Sequence, residues 1–269
     1  MKADISVITG IYNCAETLPE AIDSILNQTY DGWKLILCDD GSSDNTYDIA
    51  KDYAERYPQK IILIKNDKNM GLNYTLNHCL EYADTEFVAR MDGDDISTPD
   101  RFEKEIGFLC VHPEYAIVSC PMIYFDENGE WGRGKAEGEP SRLSVVKGTP
   151  FCHAPCMVRK EAYDAVGGYT VDNKFLRVED YDLWIKMLAK GYRGYNLSEC
   201  LYKMRDDRNA KNRRKFKYRI NEVRVKAKAV RELHLSKTNY IYVIRPLIVG
   251  LLPTGLYNYL HKRKKNTDK

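Results

Sequence analysis

The chain has 269 residues, 41 Lys and Arg against 39 Asp and Glu, and 43% hydrophobic residues, enough apolar material for a sizeable core in one α/β domain with an appendage or in two small domains. Wholesale disorder, a collagen-like chain and a disulfide-dense scaffold are excluded. The net charge of +2 conceals a division, because residues 202–269 hold 20 basic and 5 acidic residues, about +15, which leaves about −13 on residues 1–201.

Residues 4–10 place Ile5, Val7 and Ile8 in a short apolar run ending at Gly10, the pattern of a buried parallel strand. Residues 15–28 carry Leu18, Ala21, Ile22, Ile25 and Leu26 at helical spacing, with Pro19 in the first turn. The same reading predicts a strand over 34–38, a helix over 46–57, a strand over 61–64, a helix over 72–83 and a strand over 87–91. Strand and helix alternate with short connections, so the fold class is α/β, a mostly parallel, doubly wound sheet with helices on both faces. A further strand is expected over 117–124, then a loop or hairpin tip over 126–140. Gly167 and Gly168 precede Glu179, Asp180 and Asp182, which read as the acidic first turn of a helix over 183–189. Past Tyr202, Phe216, Ile220, Val223, Ala227 and Val230 recur at spacings of three and four among basic residues, a basic amphipathic helix. The eight cysteines contain no CxxC pair and read as reduced, mostly buried thiols. The first residues enter a strand pattern without the apolar run of a secretory signal, so a cytoplasmic location is expected.

In such a sheet, ligands sit outside the carboxyl ends of the strands. Thr9, Gly10, Tyr12 and Asn13 follow the first strand, Asp39-Asp40-Gly41-Ser42-Ser43-Asp44 the second, and Asp92-Gly93-Asp94-Asp95 the strand over 87–91. Three carboxylates in four residues repel one another, and a hard cation, Mg²⁺ or Mn²⁺, makes them tolerable. A solvated acidic turn or a helix N-cap is the bland alternative. Asp44 or Ser43 suits a cap, whereas Asp39 and Asp40 offer acceptors to a base or ribose. Cys152, His153 and Cys156 lack a fourth zinc ligand nearby and read as core residues.

Taken in order, Thr9-Gly10-Ile11-Tyr12-Asn13, Asp39 to Asp44, Asn69-Met70-Gly71-Leu72, Ala89 to Asp95, and Val178-Glu179-Asp180-Tyr181-Asp182-Leu183-Trp184 resemble family 2 glycosyltransferases with the GT-A fold. The resemblance spans residues 4–205 and is strongest to bacterial enzymes that extend lipid-linked surface polysaccharides. It implies that Thr9, Asp39 and Asp40 hold the base and ribose of a nucleotide-diphosphate sugar, with Tyr12, Asn13 and Gly93 beside it. Asp92 and Asp94 would be the metal-binding pair, Asp180 the general base, and Glu179 the residue that places it or touches the acceptor. His153 would line the acceptor site or the phosphates. Leu76 stands where many members carry a phosphate-facing Arg, so Arg90, Lys203 and Arg205 are the candidate cations.

The resemblance implies an inverting transfer from a UDP-linked or similar donor to a hydroxyl of a lipid-diphosphate-linked saccharide, with Mn or Mg as cofactor. An inactive scaffold and a metal-dependent nucleotide enzyme of another class, such as a nucleotidyltransferase, are the alternatives. The expected domains are 1–201, catalytic, and 202–269, a basic helical extension. Residues 240–260 are rich in Tyr, Ile, Leu and Val but hold Arg245, Pro246, Gly250, Pro253 and Gly255, and Lys262-Arg263-Lys264-Lys265 follow. This suits an interfacial segment at the inner face of the cell membrane better than a spanning helix or a nucleic-acid-binding arm.

Overall fold

A computed structural model describes residues 4–206 and 216–251. Its first third alternates as the pattern predicts: β1 (Ile5–Ile11), α1 (Leu18–Leu26), β2 (Trp33–Asp39), α2 (Thr46–Arg56), β3 (Ile61–Lys65), α3 (Leu72–Glu81) and β4 (Phe87–Arg90). After β5 (Ile96–Ser97) and α4 (Arg101–Val111) come β6 (Ile117–Ser119), β7 (Met122–Asp126), β8 (Gly129–Arg133), α5 (Arg142–Lys147), β9 (Met157–Arg159), α6 (Lys160–Val166), α7 (Glu179–Ala189), β10 (Gly194–Asn196) and β11 (Tyr202–Arg205). Two further helices, α8 (Phe216–Glu232) and α9 (Tyr240–Leu251), follow.

The large sheet has the order β10-β6-β9-β4-β1-β2-β3, parallel except for β9, which runs antiparallel to both β4 and β6. Successive side chains of a strand face opposite ways. Thus Ile5, Val7, Leu35 and Leu37 join a core with α1 and α4, while Ile8, Ile36 and Val88 join another with Leu76 and Cys79 of α3 and Leu183 and Trp184 of α7. Burial on both faces explains why the strands read as continuous apolar runs. Leu76, at the position where an Arg would face phosphate, is wholly buried in that second core. All eight cysteines are free thiols.

A small sheet of order β5-β11-β7-β8 stands beside the large one. The apolar run over 117–124, expected as one strand, is therefore two strands in different sheets. The break falls at Cys120-Pro121, since Pro has no N–H for a ladder. The stretch over 126–140 contains β8, paired with β7 as a hairpin. β11 pairs with β5 and β7, so a division at 201/202 meets the first residue of a strand of the small sheet. The change of chain character falls after Arg205.

The buried Arg101 at the start of α4 ties the two sheets together. Its guanidinium donates to the Arg90 carbonyl at 2.9 Å, to the Cys156 carbonyl at 3.3 Å, to Ser97 Oγ at 3.1 Å and to the equally buried Glu105 at 3.2 Å. Such a pair adds little by itself, but removing one partner strands a buried charge at a cost of about 3–5 kcal/mol.

The basic helix α8 packs on the α/β body. Val225, Ala229, Val230 and Leu233 are buried with Val145 and Val146 of α5, Tyr181 and Ile185 of α7, and Val243 of α9. This face matches the expected one in part: Val230 is buried and Val223 and Ala227 pack against the same cluster, whereas Phe216 and Ile220 are exposed. Two lysines of α8 lie beside this face. Lys228 Nζ lies 2.5 Å from Asp182 Oδ1 of α7, and Lys226 donates to the Lys147 carbonyl at 3.1 Å. Both lysines bury their stems and satisfy their charged ends locally.

Candidate active site

The site is built where β1 and β4, central in the sheet, release the chain. Asp92-Gly93-Asp94-Asp95 turns directly after β4, and Gly93 sits in a tight place, since a Cβ there would meet Cys14 Sγ and Ile11 Cγ2 at 3.0 Å. The Asp92 N–H donates to the buried Tyr202 hydroxyl at 3.1 Å, and the buried Arg90 guanidinium pairs with the Asp92 carboxylate. From β11, the Arg205 N–H donates to Asp95 Oδ1 at 2.7 Å and its Nε to the Asp94 carbonyl at 3.0 Å, while its guanidinium also pairs with Glu20.

Carboxylate oxygens of Asp92, Asp94 and Asp95 all lie within 4.8 Å of one another. Burial, then the charges of Asp92 and Asp94, push the Asp95 carboxyl up to about 8. An oxygen-only set that holds a proton against its own repulsion fits a hard divalent ion of the Mg²⁺ or Mn²⁺ kind. Asp95 is an addition to the expected pair.

Beyond the turn lies a cavity of about 980 Å³ lined by Tyr12, Asn13, Arg90, Asp92, Gly93, Asp94, Asp95, His153, Arg177, Glu179, Asp180 and Arg205. The loop after β1 and the loop after β2 are knitted into one rim. Asn13, with φ of 47°, donates its N–H to Ser42 Oγ at 3.1 Å, and its Oδ1 accepts the Ser43 N–H at 2.8 Å. Asp44 accepts the N–H of Thr46 at 3.0 Å, but the N-cap position of α2 belongs to Asn45, which makes no side-chain capping bond, so neither Asp44 nor Ser43 is the cap.

Four expected residues lie outside the cavity lining. Thr9 is buried, with an Oγ1 that has no partner among the described residues. Asp39 is buried and accepts the Ser42 N–H at 3.3 Å. Asp40 is occupied within the fold, accepting from Asn66 Nδ2 at 2.8 Å and from the N–H groups of Met70 and Gly71 at 2.8 and 2.9 Å; its carboxylate shapes the loop before α3. Lys203 pairs with Glu130 of β8 at 2.9 Å. A strand residue can be placed by sequence pattern, but its ion-pair partner in another strand cannot.

Elsewhere in the lining, α7 begins at Glu179, four residues earlier than expected, so the acidic residues occupy its first turn. Asp180 accepts a hydrogen bond from Thr149 Oγ1 at 3.4 Å, and its carboxyl is pushed up to about 6 by burial first and by the Glu179 charge second. Glu179 Oε2 is buried without a partner among the described residues. The His153 Nε2 lies 2.8 Å from the Tyr169 hydroxyl, and burial together with the Arg90 charge holds the ring well below its ordinary pKa, hence neutral.

Arg177 was not among the expected residues. It is exposed, adopts φ of 69°, and no ion pair engages it among the described residues. No motif marks it; the signal in the sequence is a cation two residues before Glu179.

A mixed α/β sheet with an acidic turn after its central strand and a carboxylate pair across the cavity is the architecture of a nucleotide-sugar transferase. The family model for glycosyl transferase family 2 matches residues 6–167, and the chain belongs to that family. It is 45% identical over 98% of its length to EpsE of Bacillus subtilis (strain 168), named as a glycosyltransferase, of which 95% is covered. It is 33% identical to the UDP-Gal:alpha-D-GlcNAc-diphosphoundecaprenol beta-1,3-galactosyltransferase of Escherichia coli, over 96% of this chain and 95% of that one. Among solved structures, the mannosyltransferase PcManGT of Pyrobaculum calidifontis, in complex with GDP-Man and Mn²⁺, shares the fold with a TM-score of 0.68 at 19% identity, over 100% of this chain and 81% of that one.

Titration of the protein with Mn²⁺ alone is expected to give saturable binding that weakens about tenfold or more in Asp94→Asn, since a divalent ion loses an anionic ligand. Equal binding by both proteins would remove Asp94 from the ligand set.

Proposed function

We propose that the protein is a metal-dependent, inverting glycosyltransferase that moves a sugar from a nucleotide-diphosphate sugar, UDP-linked in our reading, to a hydroxyl of a lipid-diphosphate-linked saccharide in surface-polysaccharide synthesis. The observation that carries this reading is that one cavity holds the acidic triad on one side and Asp180 with Glu179 on another. The E. coli relative's name supports the donor and acceptor classes, and the Mn²⁺ of PcManGT supports the metal.

Transfer with inversion is a single displacement at the anomeric carbon, in which the diphosphate leaves as the acceptor hydroxyl attacks and loses its proton. Asp92, Asp94 and Asp95 would hold the metal, which when bound neutralises charge on the leaving diphosphate. Asp180 takes the proton, and a carboxyl held near 6 is ionised at neutral pH yet more basic than an ordinary Asp. Glu179 raises that basicity through its charge. Tyr12 and Asn13 form the open rim where the base and ribose of a donor would lie, while Thr9 inside β1 and Asp39 at the end of β2 are buried outside the cavity lining. Neutral His153 offers a hydrogen bond but no charge, and beside the buried Arg90, which pairs with Asp92, the cations that line this cavity among the described residues are Arg177 and Arg205.

Membrane-surface attachment through the segment after Arg205 belongs to the same reading. No described helix is long and apolar enough to cross a membrane. However, α9 exposes Tyr240, Ile241 and Ile244, Ile241 to 66%, beside Arg245. Lys262 to Lys265 lie outside the described residues. A short apolar face next to cations suits the headgroup region of an anionic leaflet. Full-length protein is expected to sediment with phosphatidylglycerol vesicles and Ile241→Ser/Ile244→Ser to remain in the supernatant; full-length protein that stays soluble with those vesicles would contradict the attachment.

Asp180→Asn should lower the transfer rate by about 10²–10⁴-fold while nucleotide-sugar affinity stays within about twofold. In the unsubstituted enzyme the rate should fall as pH drops through about 6, because Asp180 then becomes protonated and can no longer accept the acceptor's proton. A variant with near-normal turnover, or a flat profile across that range in steady-state assays, would assign the base elsewhere.

A further inference from the structure

A second cavity, of about 310 Å³, adjoins the first and shares two residues with it, Arg177 and Asp180. The rest of its wall includes Thr149 and, from α8, Tyr218, Arg219 and Glu222. We propose that this cavity is the acceptor subsite and that it takes the terminal sugar and the diphosphate of the acceptor, with Arg219 of the basic helix and Arg177 as the phosphate-binding cations. This deepens the reading above and rests on it.

Position is the first argument. A hydroxyl entering from the small cavity reaches the same carboxylate, Asp180, that borders the large one, so donor and acceptor meet at one base without competing for one space. Size is the second, since about 310 Å³ accommodates a pyranose ring and little more, which leaves charged phosphates at the mouth.

Charge is the third. Arg177 has no ion pair among the described residues, and it is held in a left-handed conformation that a non-glycine residue adopts at some cost, as is common where a side chain must be aimed at a ligand. Arg219 lies 2.9 Å from Glu222, but Glu222 has a second cation, Lys226, at 3.3 Å. Arg219 can therefore turn toward a diphosphate while Glu222 stays paired. A planar guanidinium is suited to bidentate contact with phosphate oxygens.

The helix that carries Arg219 is not free to drift. Lys228 binds Asp182, two residues after Asp180 on α7, and the apolar face of α8 is buried on α5 and α7. The basic extension thus completes the acceptor side of the site in addition to any attachment it provides.

The test uses full-length protein saturated with UDP and Mn²⁺, so that the nucleotide's own phosphate site is filled. The probe is N-acetylglucosamine linked through diphosphate to an undecyl chain, with the undecyl glycoside lacking phosphates as the comparison. Arg219→Gln and Arg177→Asn, the latter chosen because Asn tolerates left-handed backbone, are expected to weaken probe binding about tenfold each, the loss of one charge-assisted contact. Neither should change binding of the phosphate-free comparison. Arg219→Gln should also leave UDP affinity unchanged, because Arg219 lines only the small cavity. Unchanged probe affinity in both variants, or no probe binding to the UDP-loaded unsubstituted protein, would overturn the subsite. Failure of UDP itself to bind would instead overturn the glycosyltransferase reading on which it rests.

Discussion

Mutual repulsion among three carboxylates on the turn after β4 is the constraint on which the rest of the site depends. At 4.8 Å, the upper limit of their separations, two like charges repel by about 3.5 kcal/mol at an effective dielectric of about 20, several times what an exposed ion pair returns. The fold answers with cations, two of which are buried. Arg90 is buried beneath Asp92, Arg101 is buried beneath the Arg90 carbonyl, and Arg205 reaches the turn from β11. These three arginines join β4, the approach to β9, β5 and β11, which is why the small sheet is fastened to the large one at the acidic turn. The remaining negative charge faces the cavity, where a hard cation suits it.

The same logic of charge held by packing extends to the basic segment. Its helix α8 buries an apolar face on α5 and α7 and pins Lys228 to Asp182. The contrast between an acidic body and a basic extension is therefore an intramolecular attraction as well as a surface property. Through Arg219 and Tyr218 the extension contributes to the wall beside Asp180, so a division into a catalytic part and an attachment part understates what residues after Arg205 do.

Much of this was legible in the sequence. The alternation of elements through residue 91, the rim residues Tyr12 and Asn13, the acidic turn and the pair Glu179-Asp180 are all local patterns, and each depends on residues close together in the chain. What was not legible depends on distant partners. β9 has three residues and no periodicity to display, and the strand break at Cys120-Pro121 lies inside an unbroken apolar run. Asp40 looks like a ligand-facing carboxylate until Asn66, Met70 and Gly71 are seen to occupy it. Lys203 and Arg205, two residues apart, diverge because one meets Glu130 and the other the acidic turn. The buried face of α8 was legible only at Val230, Val223 and Ala227, because its apolar residues cover more than one stripe and packing on α5 and α7 selects among them.

The central claim is that this arrangement breaks the bond between a sugar and a nucleoside diphosphate. The most direct measurement is phosphorus NMR of the protein incubated with Mn²⁺ and a panel of nucleotide-diphosphate sugars, read for the phosphorus product released by transfer or slow hydrolysis. The account predicts nucleoside diphosphate from at least one donor. Release of inorganic pyrophosphate, the product of nucleotidyl transfer, or intact donors that bind but are never cleaved, as in a binding scaffold, would contradict it.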